Sequence, residues 1–341
     1  MRSVFLRLMY CLLFTTPVVS AGVVTDLYQA SIEVSDRTPA TRQAAVPAAL
    51  LQVLTKVSGR PTAELSGLAG KSASQYLASF RYISRPNDGV LILQAMFAAG
   101  QVNDLLARHG LPVWGSNRPD VTFWLGVSRS GRRAVIGADD DGVDQYEALR
   151  QTFVQHGIPS VWPMLDLEDR LALPAERLFG LFRDDIRAAS VRYDTDAVVA
   201  ARIMPFADGW RADGYLEYRH DSLPLDVQGT SEQAVVTALA EAVGGYFSGR
   251  YGVVTSTTSM SSEQQALTIQ HVTRYDDYQS VLRLLASVSG VEHVDVLAVR
   301  GDSLDLGLTL NASWPQVLTN IRFDGRIGDS DLPDTLRWKG R

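Results

Sequence analysis

Apolar residues between positions 46 and 57 recur at helical spacing, so that Val46, Leu50, Val53, Leu54 and Val57 share one face. Thr38-Pro39 ahead of them supplies an N-cap and a proline at the first helical position, and Gly59 supplies the stop. Pro47 falls inside this pattern and predicts a kink or a late start. Upstream, Val23 to Val34 has strand character, with Leu27, Ala30, Ile32 and Val34 available to a core. Downstream, a short helix is expected around Ser72 to Ser79. Two strands, Arg81 to Arg85 and Val90 to Phe97, then flank the turn Pro86-Asn87-Asp88-Gly89. Val102, Leu105 and Leu106 open the helix that closes the unit. Residues 22–113 therefore read as a β-α-α-β-β-α unit.

The same patterning divides the rest. Residues 114–250 hold a strand at Val121 to Val127 and a helix at Tyr146 to His156. A broken helical stretch at Asp166 to Ala189 follows, then strands at Asp196 to Ile203 and Gly214 to Tyr218, and a third closing at Val227. A long helix, Glu232 to Phe247, ends the unit. Strands alternating with helices predict an α/β layered unit. Residues 251–263 include the polar run Thr255 to Ser262 and read as a linker. Residues 264–325 have the order β-α-β-β-α, most of a ferredoxin-like unit. Residues 326–341 are polar and read as a disordered tail. The fold class expected is thus α+β and α/β, in three small mixed units.

The first 21 residues change the picture. Arg2 and Arg7 precede the apolar run Leu8 to Phe14, and Pro17-Val18-Val19-Ser20-Ala21 ends in small residues. This is the plan of a secretory signal cleaved near Ser20 or Ala21. Cleavage removes two arginines and no acid, taking the formal net charge from −6 to −8. It also removes Cys11, the one cysteine, so the mature chain has no thiol chemistry. A periplasmic location follows, with no membrane span after cleavage. An acidic chain also argues against nucleic acid as a partner.

Candidate chemistry is thin. Gly67-Leu68-Ala69-Gly70-Lys71-Ser72 has leucine at 65 where a phosphate-binding loop needs glycine. Asp139-Asp140-Asp141-Gly142 lacks both anchoring carboxylates of a calcium loop, since 137 is glycine and 148 is alanine. His109, His156, His220, His271 and His293 are scattered without metal-ligand spacing. No nucleophile elbow occurs. Asp166, Glu168 and Asp169 cluster, but acids at a helix start usually cap it. No catalytic residue, cofactor or metal is expected. Of the tryptophans, Trp124 sits inside a strand and reads as core. Trp114 and Trp162 follow matching Gly-x-Pro loops and could approach each other. Such rings either fill a core or form a platform for sugar or protein. Trp114, Arg118, Trp162, Asp166, Glu168 and Trp210 form the candidate binding surface.

The run Ala49-Leu50-Leu51-Gln52-Val53-Leu54-Thr55-Lys56-Val57-Ser58-Gly59-Arg60-Pro61 resembles the signature helix of the domain-of-unknown-function family numbered 2066. Leu111-Pro112-Val113-Trp114-Gly115 with Arg118-Pro119, Trp162 to Asp169, and Ala188 to Tyr193 fit the same resemblance. It implies an exported Gram-negative envelope protein and brings no catalytic residues. The expected function is a non-catalytic envelope protein that binds other envelope proteins. The alternative is a peptidoglycan or glycan binder using the third unit and exposed tryptophans, with a cell-wall hydrolase third.

Overall fold

The structure, a computed structural model, describes residues 22–70, 72–85, 89–138, 146–255 and 263–340. The signal segment, Lys71, the Pro86-Asn87-Asp88 turn, the acidic run from Asp139 and most of the polar linker lie outside those residues.

The N-terminal unit contains β1 (Gly22–Val23), β2 (Gln29–Glu33), α1 (Pro39–Ser58), α2 (Thr62–Leu65), β3 (Leu77–Ser84), β4 (Leu91–Phe97) and α3 (Ala99–Arg108). Its antiparallel sheet has the order β2-β4-β3. The expected strand at Val23 to Val34 is split by a turn into β1 and β2. The caps of α1 fall where the sequence puts them: Thr38 Oγ1 accepts from the Thr41 N–H at 3.3 Å, and Gly59 closes the helix at φ +62°. A Cβ at Gly59 would come within 2.5 Å of Ser248 Cβ, so glycine also admits the long helix of the next unit. Pro47 neither delays nor breaks α1. It removes one N–H bond, while Val46, Ala49, Leu50, Val53 and Leu54 are buried around it and hold the helix. The helix expected near Ser72 shrinks to a 3₁₀ turn at Ala73–Tyr76, because β3 starts at Leu77 and pairs there with β4.

The central unit runs β5 (Asn117–Arg118), β6 (Val121–Arg129), β7 (Arg132–Val135), α4 (Glu147–Gln155), β8 (Ser160–Val161), α5 (Leu167–Ala172), α6 (Ala175–Phe179), α7 (Arg183–Ser190), β9 (Ala197–Phe206), β10 (Gly209–Tyr218), β11 (Asp221–Gly229) and α8 (Glu232–Tyr251). The sheet order is β11-β10-β9-β6-β7, with β8 also on β6. β6 runs parallel to β9 and β8; the other pairs are antiparallel. Alternation along β6 sorts its side chains between two helical layers. Phe123, Leu125 and Val127 join a core with Phe153 and the apolar side of α8. Trp124 points the other way, among Leu178, Ile186 and Ala189, and donates to Ser190 Oγ at 2.9 Å.

The C-terminal unit comprises β12 (Glu263–Gln270), α9 (Tyr275–Ser287), β13 (Val291–Arg300), β14 (Ser303–Leu310), α10 (Trp314–Phe323), β15 (Ile327–Asp329) and β16 (Thr335–Trp338). The order β13-β14-β12-β16-β15 corrects the reading of a disordered tail. β16 enters the sheet beside β12, parallel to it, and buries Leu336 and Trp338; β15 buries Ile327. The ferredoxin-like plan thus gains a strand inserted next to its first one. The units also pack on each other: Tyr251 and Phe323 approach to 4.9 Å between ring centroids, and Asn320 Nδ2 donates to Tyr251 O. Among the described residues, no helix is long and apolar enough to cross a membrane.

Candidate functional site

Two members of the expected binding surface, Trp114 and Arg118, do come together, but inside the protein. Both are fully buried where the N-terminal and central units meet. The Arg118 guanidinium lies 3.8 Å from the Trp114 ring centroid, and Trp114 stacks on Phe247. Arg118 Nε donates to Gly115 O (2.7 Å), Nη1 to Gly157 O (2.6 Å), and Nη2 to Lys56 O (2.8 Å) and Trp114 O (2.7 Å). Burial pulls its pKa down to about 9, which still leaves it protonated at neutral pH. Lys56 is buried beside it, and its Nζ donates to the main-chain carbonyls of Asp26 and Gln29. Gly157, at φ +68°, is required here, since any Cβ would collide with Arg118 and Lys56. Two cations therefore bind four chain segments by their carbonyls. They are an internal clamp.

The other tryptophans do not form a platform. Trp162 packs on Phe123 and Phe153 (centroids 5.1 and 5.6 Å), and Trp210 packs against the same central core. Trp114 and Trp162 share that core but stack on different rings. Large aromatic surface is more stabilising inside than exposed, and each ring found room at a strand end.

Asp166 and Glu168 lie at the start of α5. Asp166 is the N-cap, its Oδ1 accepting from the Asp169 N–H at 3.0 Å, and both its oxygens accept from Arg192. Arg192 also reaches Asp169, and Glu168 at 3.6 Å. Asp169 is 1% exposed and accepts from Leu165 N–H, Tyr193 OH and Arg192. Burial and the Asp169 carboxylate push the Tyr193 hydroxyl up to about 12. The Arg192 hydrogen bond, helped by the Asp169 N–H, holds the Asp166 carboxyl down to about 2. A depressed carboxyl stabilises the folded state above its unfolded pKa of about 4, and the benefit disappears as pH falls toward the folded value. In an NMR titration the Asp166 carboxyl carbon should therefore change near pH 2. In Arg192→Gln its midpoint should climb toward about 4.

This network fixes the helix whose outer face is apolar. Leu167 and Leu171, four residues apart, are 74% and 72% exposed, and Met164 just before the cap is 63% exposed. Val191, next to Arg192, is exposed as well. Sequence reasoning settled on the acids of this segment and passed over its leucines. Their signal was a helix too short to bury two opposite faces. Among the described residues, no group of three or more His, Cys, Asp or Glu converges in a way that could hold a metal ion.

Fold and site together define an α+β protein of three packed units with a buried cationic clamp and one apolar helix face turned to solvent. Residues 21–115 match a family described as a domain of unknown function (DUF8605). This overturns the resemblance to family 2066. The helix from Ala49 to Pro61 and the Leu111-Pro112-Val113-Trp114-Gly115 stretch both fall within the match to the other family. Physically, those stretches are a capped core helix and a clamp segment, whose residues answer to packing and do not single out one lineage. No curated protein and no solved structure matches the chain.

Proposed function

We propose that the protein is an exported, non-catalytic interaction protein of the periplasm that docks other envelope proteins through the outer face of α5. The observation that carries this reading is the exposure of Leu167 and Leu171 on a helix of only six residues. Apolar side chains at i and i+4, rimmed by charge, are how a helix presents anchors to a partner. Asp166, Glu168 and Arg170 supply that rim. The non-catalytic part is supported by the acids alongside: Asp166 and Asp169 are already engaged by Arg192 and by main-chain N–H groups. The location is supported by the signal-like residues 1–21. The glycan alternative has less support, because Trp114 is buried, and Trp162 and Trp210 pack partly buried against the central core and Trp314 against the C-terminal one, instead of sharing one exposed face.

A photo-crosslinking residue placed at Leu167 or Leu171 in cells should give a discrete adduct with an envelope protein. The adduct from position 171 should vanish when Leu167 becomes lysine. The same probe at Thr319, exposed on α10 of the C-terminal unit, should not form it. Identical adduct patterns from positions 171 and 319 would sink the proposal.

A further inference from the structure

A cavity of about 470 Å³ opens between the N-terminal and central units, and it shares only helix α1 with the clamp described above. One wall is α1, with Gln52 and Thr55; the other is α4 and α8, with Gln155, His156, Gln233 and Thr237. Its third side is β2, through Ser31, Ile32 and Glu33. β2 is the terminal strand of its sheet. The Val34 N–H bonds to Leu91 O and the Phe97 N–H to Tyr28 O, which fixes the alternation of this antiparallel pair. Ala30 and Ile32 therefore spend their backbone groups on β4, while Gln29, Ser31 and Glu33 turn theirs to the free edge. The Gln29 carbonyl accepts from Lys56 Nζ, and the Ser31 N–H is met by the Gln52 side chain at a long 3.3 Å. The next outward groups are the Ser31 carbonyl and the Glu33 N–H. That acceptor and donor flank Ile32 in the way a parallel strand needs to bond both backbone groups of one guest residue.

His156 supplies a second feature. It is 8% exposed, and its Nδ1 lies 2.7 Å from Thr152 O. A carbonyl only accepts, so Nδ1 carries the proton and Nε2 is a bare acceptor. Nε2 is buried and has no protein partner among the described residues. Burial lowers the pKa of the ring and keeps it neutral. The remaining lining is amide and hydroxyl. Among the described residues Glu33 is its one charged member, and its carboxylate is paired with Arg85.

We propose that this groove receives an extended peptide segment of a partner protein, added to the free edge of β2 through the Ser31 carbonyl and the Glu33 N–H, with the His156 ring as part of the opposite wall. Backbone pairing supplies affinity in this mode, and the pockets beside the strand supply selectivity. Ile32 and Leu51 offer a small apolar contact, and the amide and hydroxyl side chains around them suit an uncharged polar segment. The site is separate from the α5 face and does not depend on it.

The test is selection of a random heptapeptide phage library on the full chain, followed by anisotropy titrations of the resynthesised peptides. Enriched peptides should favour extended, proline-free sequences with uncharged polar side chains, which match the amide and hydroxyl lining. Glu33→Pro removes the outward donor at an edge position that tolerates proline, and Ala48→Trp fills the groove from an exposed position. Each should weaken binding at least about tenfold. Leu171→Lys should leave peptide affinity unchanged, which separates this proposal from the one for α5. Ala48→Trp should keep the wild-type thermal midpoint, so it decides the matter if Glu33→Pro folds poorly. Failure to enrich any peptide, equal affinity for wild type and Ala48→Trp, or binding of an N-acetylglucosamine disaccharide without peptide binding would overturn it.

Discussion

Replacing Arg118 with methionine should lower the stability of the protein by about 4 kcal/mol. Methionine fills much of the same volume but has no donors. Four main-chain carbonyls, at Lys56, Trp114, Gly115 and Gly157, then lose their partner, and the bonds to all but Gly115 are fully buried. Each buried, unsatisfied polar group costs about 1–3 kcal/mol. Relief from burying a charge, about 1–4 kcal/mol in comparable exchanges, offsets part of that loss. Lysine at 118 keeps the charge, yet a single ammonium cannot reach carbonyls on three separate segments. We expect it to cost about 3 kcal/mol by the same reasoning. Urea unfolding at neutral pH measures both values. A loss below about 1 kcal/mol for methionine would mean that the carbonyls can be left unpaired or rehydrated at little cost. Total stabilities are only about 5–15 kcal/mol, so either variant should also be visibly more sensitive to protease.

Deleting residues 326–341 should unfold the C-terminal unit. The deletion takes away β15 and β16, with the buried side chains of Ile327, Leu336 and Trp338, and bares one edge of β12. At about 1.5–3 kcal/mol per buried side chain, the loss is roughly 5–8 kcal/mol, comparable to the stability of a whole small domain. Limited proteolysis should then cut first within residues 263–325. Point variants refine the expectation. Trp338 Nε1 is buried without a hydrogen-bond partner, so Trp338→Phe should be mild, whereas Trp338→Ala should cost about 3–5 kcal/mol. A C-terminal unit that keeps its protection after the deletion would show that these strands are accessory.

Why was α1 legible and the clamp not? Thr38, Pro39 and Gly59 act on groups within a few residues of themselves, and the buried face of α1 repeats at one period. Trp124 was legible for the same reason: its neighbours in β6 are apolar on both sides, so the ring had to be inside. Arg118 offers no such signal. It binds main-chain oxygens 62 and 39 residues away, and a carbonyl looks the same in every residue. The tail misled because β15 has three residues and β16 four. The alternation Thr335-Leu336-Arg337-Trp338 is real but spans only four residues, too few to stand out among polar neighbours. Asp166 and Glu168 were placed correctly in one helix start, but acids that cap and pair look identical in sequence to acids that are free.

The clamp has a consequence for how this protein can be divided. The matched family segment ends at residue 115, yet Arg118, which bonds to Lys56, Trp114 and Gly115 within it, lies just beyond. So does β5, the pairing partner of β1, and Val113 bridges to Val253 far downstream. A fragment cut at residue 115 would carry three carbonyls shaped around a missing guanidinium and a first strand with nothing to pair with. The border of recognisable ancestry and the border of mechanical integrity therefore do not coincide. Any graft of this segment into another protein has to bring an arginine with it, or find one waiting in the host.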